Sequence, residues 1–164
     1  MIGERRQENN GSAAQGVTQG MAKDKQAARL EHLVRRIGGF LLAAVESAFD
    51  QRWTRAVFRF RRSQGGGFDL GLWVALPEGP VAELEPPIDG TSELLQLANL
   101  PDHLFGGRWH GLAFVLTPDR AWQIVYNHDP VYADDPAWRS SWPPESAEPG
   151  AAADRAGASG LRES

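Results

Sequence analysis

The spacing of large apolar side chains changes period along this chain, and each change marks an element. From Leu30 onward, Leu33, Val34, Ile37, Leu41, Val45, Ala48 and Phe49 recur at three- and four-residue steps. That spacing puts them on one stripe of an α-helix and predicts that the stripe covers a core. Asp24 suits the first turn of this helix, whereas Gly38 and Gly39 weaken its middle. The glycine pair reads as a tolerated weakness, with a bend or a close backbone contact as alternatives. From Trp53 the period falls to two: Ala56, Phe58 and Phe60 point one way, while Arg55, Val57, Arg59 and Arg61 point the other. This is the pattern of a half-buried strand with an arginine-bearing solvent face. "SQGGG" at Ser63–Gly67 tolerates positive φ, and Phe68, Leu70, Leu72 and Val74 then form a second alternating apolar set. The two runs are expected to pair as a hairpin.

Beyond them, "LPEGPVAELEPPIDG" from Leu76 to Gly90 reads as a proline-punctuated acidic connection. A short helix carrying Leu94, Leu95, Leu97 and Ala98 follows, with Thr91 or Ser92 as its cap. Two further strands, His110–Leu116 and Ala121–Asn127, flank the turn "TPDR". Together these elements predict an α+β fold: an N-terminal amphipathic helix packed on a four-stranded antiparallel sheet of two hairpins, with a short helical crossover. Trp122, Ile124 and Tyr126 share one strand face and are expected to pack against the helix. The stretches 1–21 and 143–164 are poor in large apolar groups and are expected to be disordered tails that limited proteolysis trims. A single domain is expected over 22–142.

Composition narrows the chemistry. The 164 residues include no cysteine, which excludes a disulfide framework, a thiolate metal site and a catalytic cysteine. The formal net charge of −4 argues against a nucleic-acid partner and suits a basic protein partner. No apolar run approaches the roughly 18 to 20 residues that span a bilayer, and the N-terminus lacks the order of a secretory signal. The expectation is a cytoplasmic protein without a membrane partner.

The densest candidate chemistry lies in "AWQIVYNHDPVYADDPAW", Ala121–Trp138, whose second half collects His128, Asp129, Asp134 and Asp135. Pro130 cannot donate to a sheet ladder, so the strand is read as ending there with its side chains turned to solvent. Adjacent aspartates without EF-hand spacing do not make a cation site, and no metal or cofactor is expected. Asp129, Tyr132, Asp134, Asp135 and Trp138 are read instead as an exposed acidic and aromatic rim able to meet a basic partner. The four histidines are His32, His103, His110 and His128, and "ESAF" and "RSSW" offer the nearest serines. None sits in a serine-hydrolase elbow. A small hydrolase pairing His110 or His128 with an aspartate, for instance His110 with Asp119, is the alternative reading. The glycine run before Phe68 lacks the Gly-Lys-Ser/Thr ending of a phosphate loop. The arginines from Arg52 to Arg62 would either grip phosphates or simply form a solvated face.

Taken in order, the leading helix, "QRWTRAVFRFRRSQGGGFDLGLWV", the Leu-rich helix and "WHGLAFVLTPDRAWQIVYNHDP" with the Asp and Trp residues after it resemble the YezG-like family of bacterial immunity proteins. The resemblance covers roughly Leu30 to Trp138. It rests on Trp53 at the head of its strand, the glycine turn before Phe68, and the "F-x-L-x-P-D-x-x-W-x-I-x-Y-N-x-D" run from Phe114 to Asp129. It implies a non-catalytic antitoxin that binds and blocks a secreted toxin domain. An uncharacterised protein-binding module on the same fold is the further alternative. The chain departs from the family pattern after Arg139, where "SSWPPESAEPG" does not favour a continuing helix.

Overall fold

The computed structural model describes the backbone of residues 8–144 and the side chains of residues 22–144. Of the two expected tails, residues 1–7 and 145–164 lie outside the described backbone. The backbone over 8–21 belongs to the first helix, and Pro143 is buried.

The elements run α1 (Glu8–Phe49), β1 (Arg55–Arg62), β2 (Phe68–Ala75), β3 (Ala82–Leu84), α2 (Thr91–Ala98), β4 (Gly111–Leu116), β5 (Trp122–Asn127) and α3 (Trp138–Ser141). Single 3₁₀ turns, Asp102–Phe105 and Pro130–Ala133, precede β4 and follow β5. All strand pairings are antiparallel, in the order β3-β2-β1-β4-β5. The sheet therefore has five strands rather than the expected four. The extra strand comes from the acidic connection, where Ala82 to Leu84 pair with Val74 to Leu72. Only three residues long and followed by Pro86 and Pro87, β3 shows no extended alternation, and prolines are tolerated beside an edge strand that ends where they begin.

One face of the sheet packs as the alternation predicts. Ala56, Phe58 and Phe60 sit between Val74, Leu72 and Leu70 of β2 on one side and Leu116, Phe114 and Leu112 of β4 on the other. Over them lie Leu33, Ile37, Leu41, Leu42 and Val45 of α1, with Leu94 and Leu97 of α2 beside the helix. Ala48 falls outside this stripe and is exposed, and Phe68 and Leu70 extend past the helix at the sheet margin and are 44% and 41% exposed. Trp122, Ile124 and Tyr126 are half-buried against the core, Trp122 on the helix at Gly38 and Tyr126 against Phe105 and Trp109 rather than the helix. Gly38 explains itself here: a Cβ on it would lie 2.7 Å from Trp122 Cε2, so the missing side chain lets the indole lie on the helix backbone. The close-contact alternative, not the tolerated weakness, is what this glycine does. Gly39 has open space where its Cβ would go.

The cap of α2 also differs from expectation. Gly90, at φ 95°, occupies the N-cap position, and no side chain caps the helix. Thr91 instead begins it. The left-handed conformation that Gly90 adopts is one that threonine and serine disfavour.

Candidate functional site

The second face of the sheet was expected to be solvated; it is covered. Arg59 is only 8% exposed, and the Arg61 side chain only 11%. The cover is the segment from Asp129 to Pro144, folded back across β1. The neighbours of the two arginines make this possible. Arg59 stands between Gly71 and Ala113, and Arg61 between Asp69 and Gly111, so small residues leave room for guanidinium groups to lie flat. The Trp73 ring lies against Gly71, and the Tyr132 ring against Gly111, each where a Cβ would stand.

Both arginines donate to the cover, and Arg61 also binds Asp69 of β2. Arg59 Nε donates to the Trp142 carbonyl at 2.7 Å, and its guanidinium lies 4.8 Å from the Trp73 ring centre. Arg61 Nη1 donates to the carbonyls of Asp135 (2.7 Å) and Tyr132 (3.3 Å), while Nη2 pairs with Asp69 Oδ2 at 2.6 Å. The same guanidinium lies 4.9 Å from the Trp138 ring centre, and Trp138 meets Trp73 edge-on at 5.8 Å. Tyr132 Oη donates to the Trp138 carbonyl at 2.9 Å, and its ring meets Trp142 at 5.4 Å. Burial pushes the Tyr132 phenol up to about 12 against the opposing pull of Arg59 and Arg61. The carbonyls of an irregular segment need partners when buried, and arginine supplies several donors in one plane. The arginine strand is thus a clamp for the C-terminal segment, neither a solvated face nor a bare phosphate grip.

This arrangement divides the expected rim. Tyr132 and Trp138 are buried at 3% and 9% exposure, so they are corrected from rim to core of the second layer. The reason is that Pro130 ends the strand without releasing the chain to solvent: the segment turns through a 3₁₀ helix onto the arginine face. Asp129 and Asp134 are exposed, and Asp135 is half-buried. Asp129 caps the turn, its Oδ1 accepting from Val131 N at 3.0 Å. Asp135 Oδ1 accepts from Ala137 N at 2.9 Å, and hydrogen bonds from Ser141 and Ala137 hold its carboxyl below the ordinary range. Asp134 has no such local bond.

The hydrolase alternative finds its first pair separated. His110 precedes β4 and Asp119 sits in the turn that follows it, with the six residues of Gly111–Leu116 between them, a span of roughly 20 Å. Asp119 accepts from Thr117 Oγ1 and caps its own turn. His110 shares its corner with Arg62, Arg108, His128 and Asp129; burial first, then Arg108 and Arg62, lower its pKa while Asp129 opposes them. His128 Nδ1 is 3.0 Å from the Arg108 carbonyl, and Asp129 is occupied as a cap. His32 and His103 are exposed on α1 and the first 3₁₀ turn. Among the described residues, no group of three or more His, Asp or Glu side chains converges as a metal site, and no helix is long and apolar enough to cross a membrane.

What remains on the surface is a second margin that the sequence did not single out. Six large apolar side chains are exposed among the described residues, and four of them, Phe68, Leu70, Val81 and Ile88, lie on β2 or on the segments flanking β3. Ile88 is 89% exposed. Between them stand Glu78, Glu83, Glu85 and Asp89, all exposed. None of these four carboxylates has an ion-pair partner among the described residues, and the stretch 76–90 contains no Lys, Arg or His. Leu70, Pro86 and Pro87 line a shallow groove, open to solvent, together with Ile37, Leu41 and Phe58 of the core. The absence of any basic residue across "LPEGPVAELEPPIDG" was the available signal. No known protein-family model matches the chain, and no curated protein matches it.

Proposed function

We propose that this chain is a non-catalytic, immunity-type binding protein that occludes a domain of another protein, as its resemblance to the YezG-like family implies. The observation that carries this reading is the character of the surface beyond the two covered sheet faces. Exposed apolar groups stand beside exposed carboxylates that lack ion-pair partners, once along the β2–β3 margin and again where Val131, 69% exposed, lies between Asp129 and Asp134. Apolar groups of this kind supply contact energy on binding, and carboxylates around them steer a basic partner and reject an acidic one. A bacterial toxin domain made inside the cell that must be silenced is a partner of this kind, and a cytoplasmic binder is the form that task takes.

The test is co-expression with the toxin domain encoded beside this gene. Growth should be restored by the wild-type chain, and purified toxin and chain should co-elute as a stable complex. Failure to restore growth against every neighbouring toxin domain overturns the reading. The hydrolase alternative would be favoured by turnover that is lost in both His110→Asn and His128→Asn.

A further inference from the structure

We infer that the β2–β3 margin is the principal docking site and that its occupant is a basic, apolar segment of the partner protein, with Lys or Arg interleaved with aliphatic side chains. The inference rests on the binding-protein reading and adds the place and the chemistry of the contact.

Three features select this margin over the Asp129–Asp134 corner. The first is extent. Phe68 and Leu70 stand at the beginning of β2 on its helix-side face and Val81 beside its end at Ala75 on the other face, so exposed apolar groups border both ends of an eight-residue strand, about 25 Å long. At the other corner Val131 is the only large exposed apolar side chain among the described residues. The second is shape. Leu70 with Pro86 and Pro87 walls a groove that reaches Ile37, Leu41 and Phe58 of the core, so an aliphatic side chain entering it would lose water on several sides. The prolines hold this wall without side-chain or backbone adjustment, which lowers the ordering cost of binding.

The third is charge. Asp89 lines the groove, and Glu78, Glu83 and Glu85 border the same sheet edge, Glu83 on the face opposite Leu70; none of the four has an ion-pair partner among the described residues, and the segment carries no cation. By contrast, Glu46 and Glu93 elsewhere are paired with Arg120 and Arg36. Four like charges near one sheet edge repel one another and make the local potential more negative, a cost that a cationic partner removes. An acidic or purely apolar segment would leave them uncompensated. Positive charge alone would leave the groove empty, so the matching ligand carries both features.

The experiment uses the whole chain and three labelled ten-residue probes: Lys alternating with Leu and Val, Glu alternating with Leu and Val, and Lys alternating with Ser. Fluorescence anisotropy reads affinity, and amide chemical shifts of the chain read location. The Lys/Leu/Val probe should bind at least tenfold tighter than either control and shift amides of 68–71 and 78–90. Leu70→Ser with Ile88→Ser should weaken it tenfold or more. Glu83→Lys with Glu85→Lys should slow association and flatten its dependence on salt. All four side chains are exposed or at the sheet margin, and thermal unfolding of each variant checks that the fold is retained. Equal binding by all three probes, or shifts centred on Asp129 to Asp134, would overturn the assignment. So would self-association of the chain alone that disappears in Glu83→Lys with Glu85→Lys, which would make a second copy the occupant. Growth rescue separates the two readings: edge variants that still rescue sink this inference and leave the function standing, whereas a wild-type chain that rescues nothing sinks the function whatever the probes do.

Discussion

At the scale of single residues, two adjacent glycines have opposite roles although the sequence treats them alike. A methyl group on Gly38 would press into the Trp122 indole, whereas one on Gly39 meets nothing within 4 Å. Gly39→Ala should therefore gain the helix propensity that glycine lacks, about 0.5 to 1 kcal/mol. Gly38→Ala gains the same propensity but must displace the ring, and overpacking of this kind costs about 1 to 3 kcal/mol. Urea unfolding of the two variants should move in opposite directions, and parallel shifts would mean that Trp122 does not rest on the helix. Arg61 gives a second residue-level test. Arg61→Met leaves two part-buried carbonyls and Asp69 without their donor, a loss of about 2 to 4 kcal/mol. Arg61→Lys should recover only part of it, because one ammonium cannot span three acceptors in a plane. His110 supplies the pH dependence. Its folded pKa lies below its unfolded value, so the neutral form is favoured in the fold. Stability should be full above the ordinary imidazole value near 6.5 and decline as pH falls through the folded pKa. His110→Gln should flatten the stability difference between pH 7.5 and 5.5, and an unchanged slope would place its cause elsewhere.

At the scale of elements, what was legible depended on whether a local pattern carried the information. Both long hairpins, the core stripe of α1 and the leucines of α2 follow from side-chain period, because period 2 and period 3.6 each assign a face without reference to the rest of the chain. The destination of the segment after Asn127 does not. Its composition is that of a solvated loop, and only the small residues Gly71, Gly111 and Ala113, placed beside Arg59 and Arg61 by strand register, show that the arginine face has room for a cover. That signal is spread over three strands and becomes readable only after pairing is known. β3 was hidden for a different reason, since three residues are too few to display alternation. The cover also separates two aspartates that looked equivalent. Asp129 caps the turn entering it, so Asp129→Lys should cost about 0.5 to 2 kcal/mol through the lost bond to Val131 N. Asp134 is exposed and bonds nothing locally, so Asp134→Lys should leave thermal unfolding nearly unchanged. Equal destabilisation by both would show that their charge, rather than the cap, supports the fold.

At the scale of the whole molecule, the sheet lies between two unlike layers: helices α1 and α2 on one face, and the Asp129–Pro144 segment on the other. The central strand β1 is paired on both edges and covered on both faces, while β3 and β5 form the two edges. This layout sets an order of protection. Amides of β1 and β4 should exchange with solvent only on global unfolding, those of β3 first among the strands, and those of β2 and β5 between. The order also decides whether the C-terminal segment is a flap or part of the structural unit. As a flap it would open by itself, and weakening it would leave β1 protected by the helix layer. The geometry argues otherwise: Arg59 and Arg61 are strand residues that donate to carbonyls of the segment, and Tyr132 and Trp138 of the segment are buried on the sheet, so opening it breaks those bonds and exposes both rings to water at once. Trp138→Ala removes the ring that packs on Trp73 and lies against Arg61, a loss of about 3 to 5 kcal/mol for a buried tryptophan. In the cooperative case, hydrogen exchange should show the slowest β1 and β4 amides losing protection by the same free energy that denaturant unfolding reports for the variant. Loss of protection confined to residues 130–144, with β1 unchanged, would make the segment an independently opening flap and the arginine clamp energetically minor.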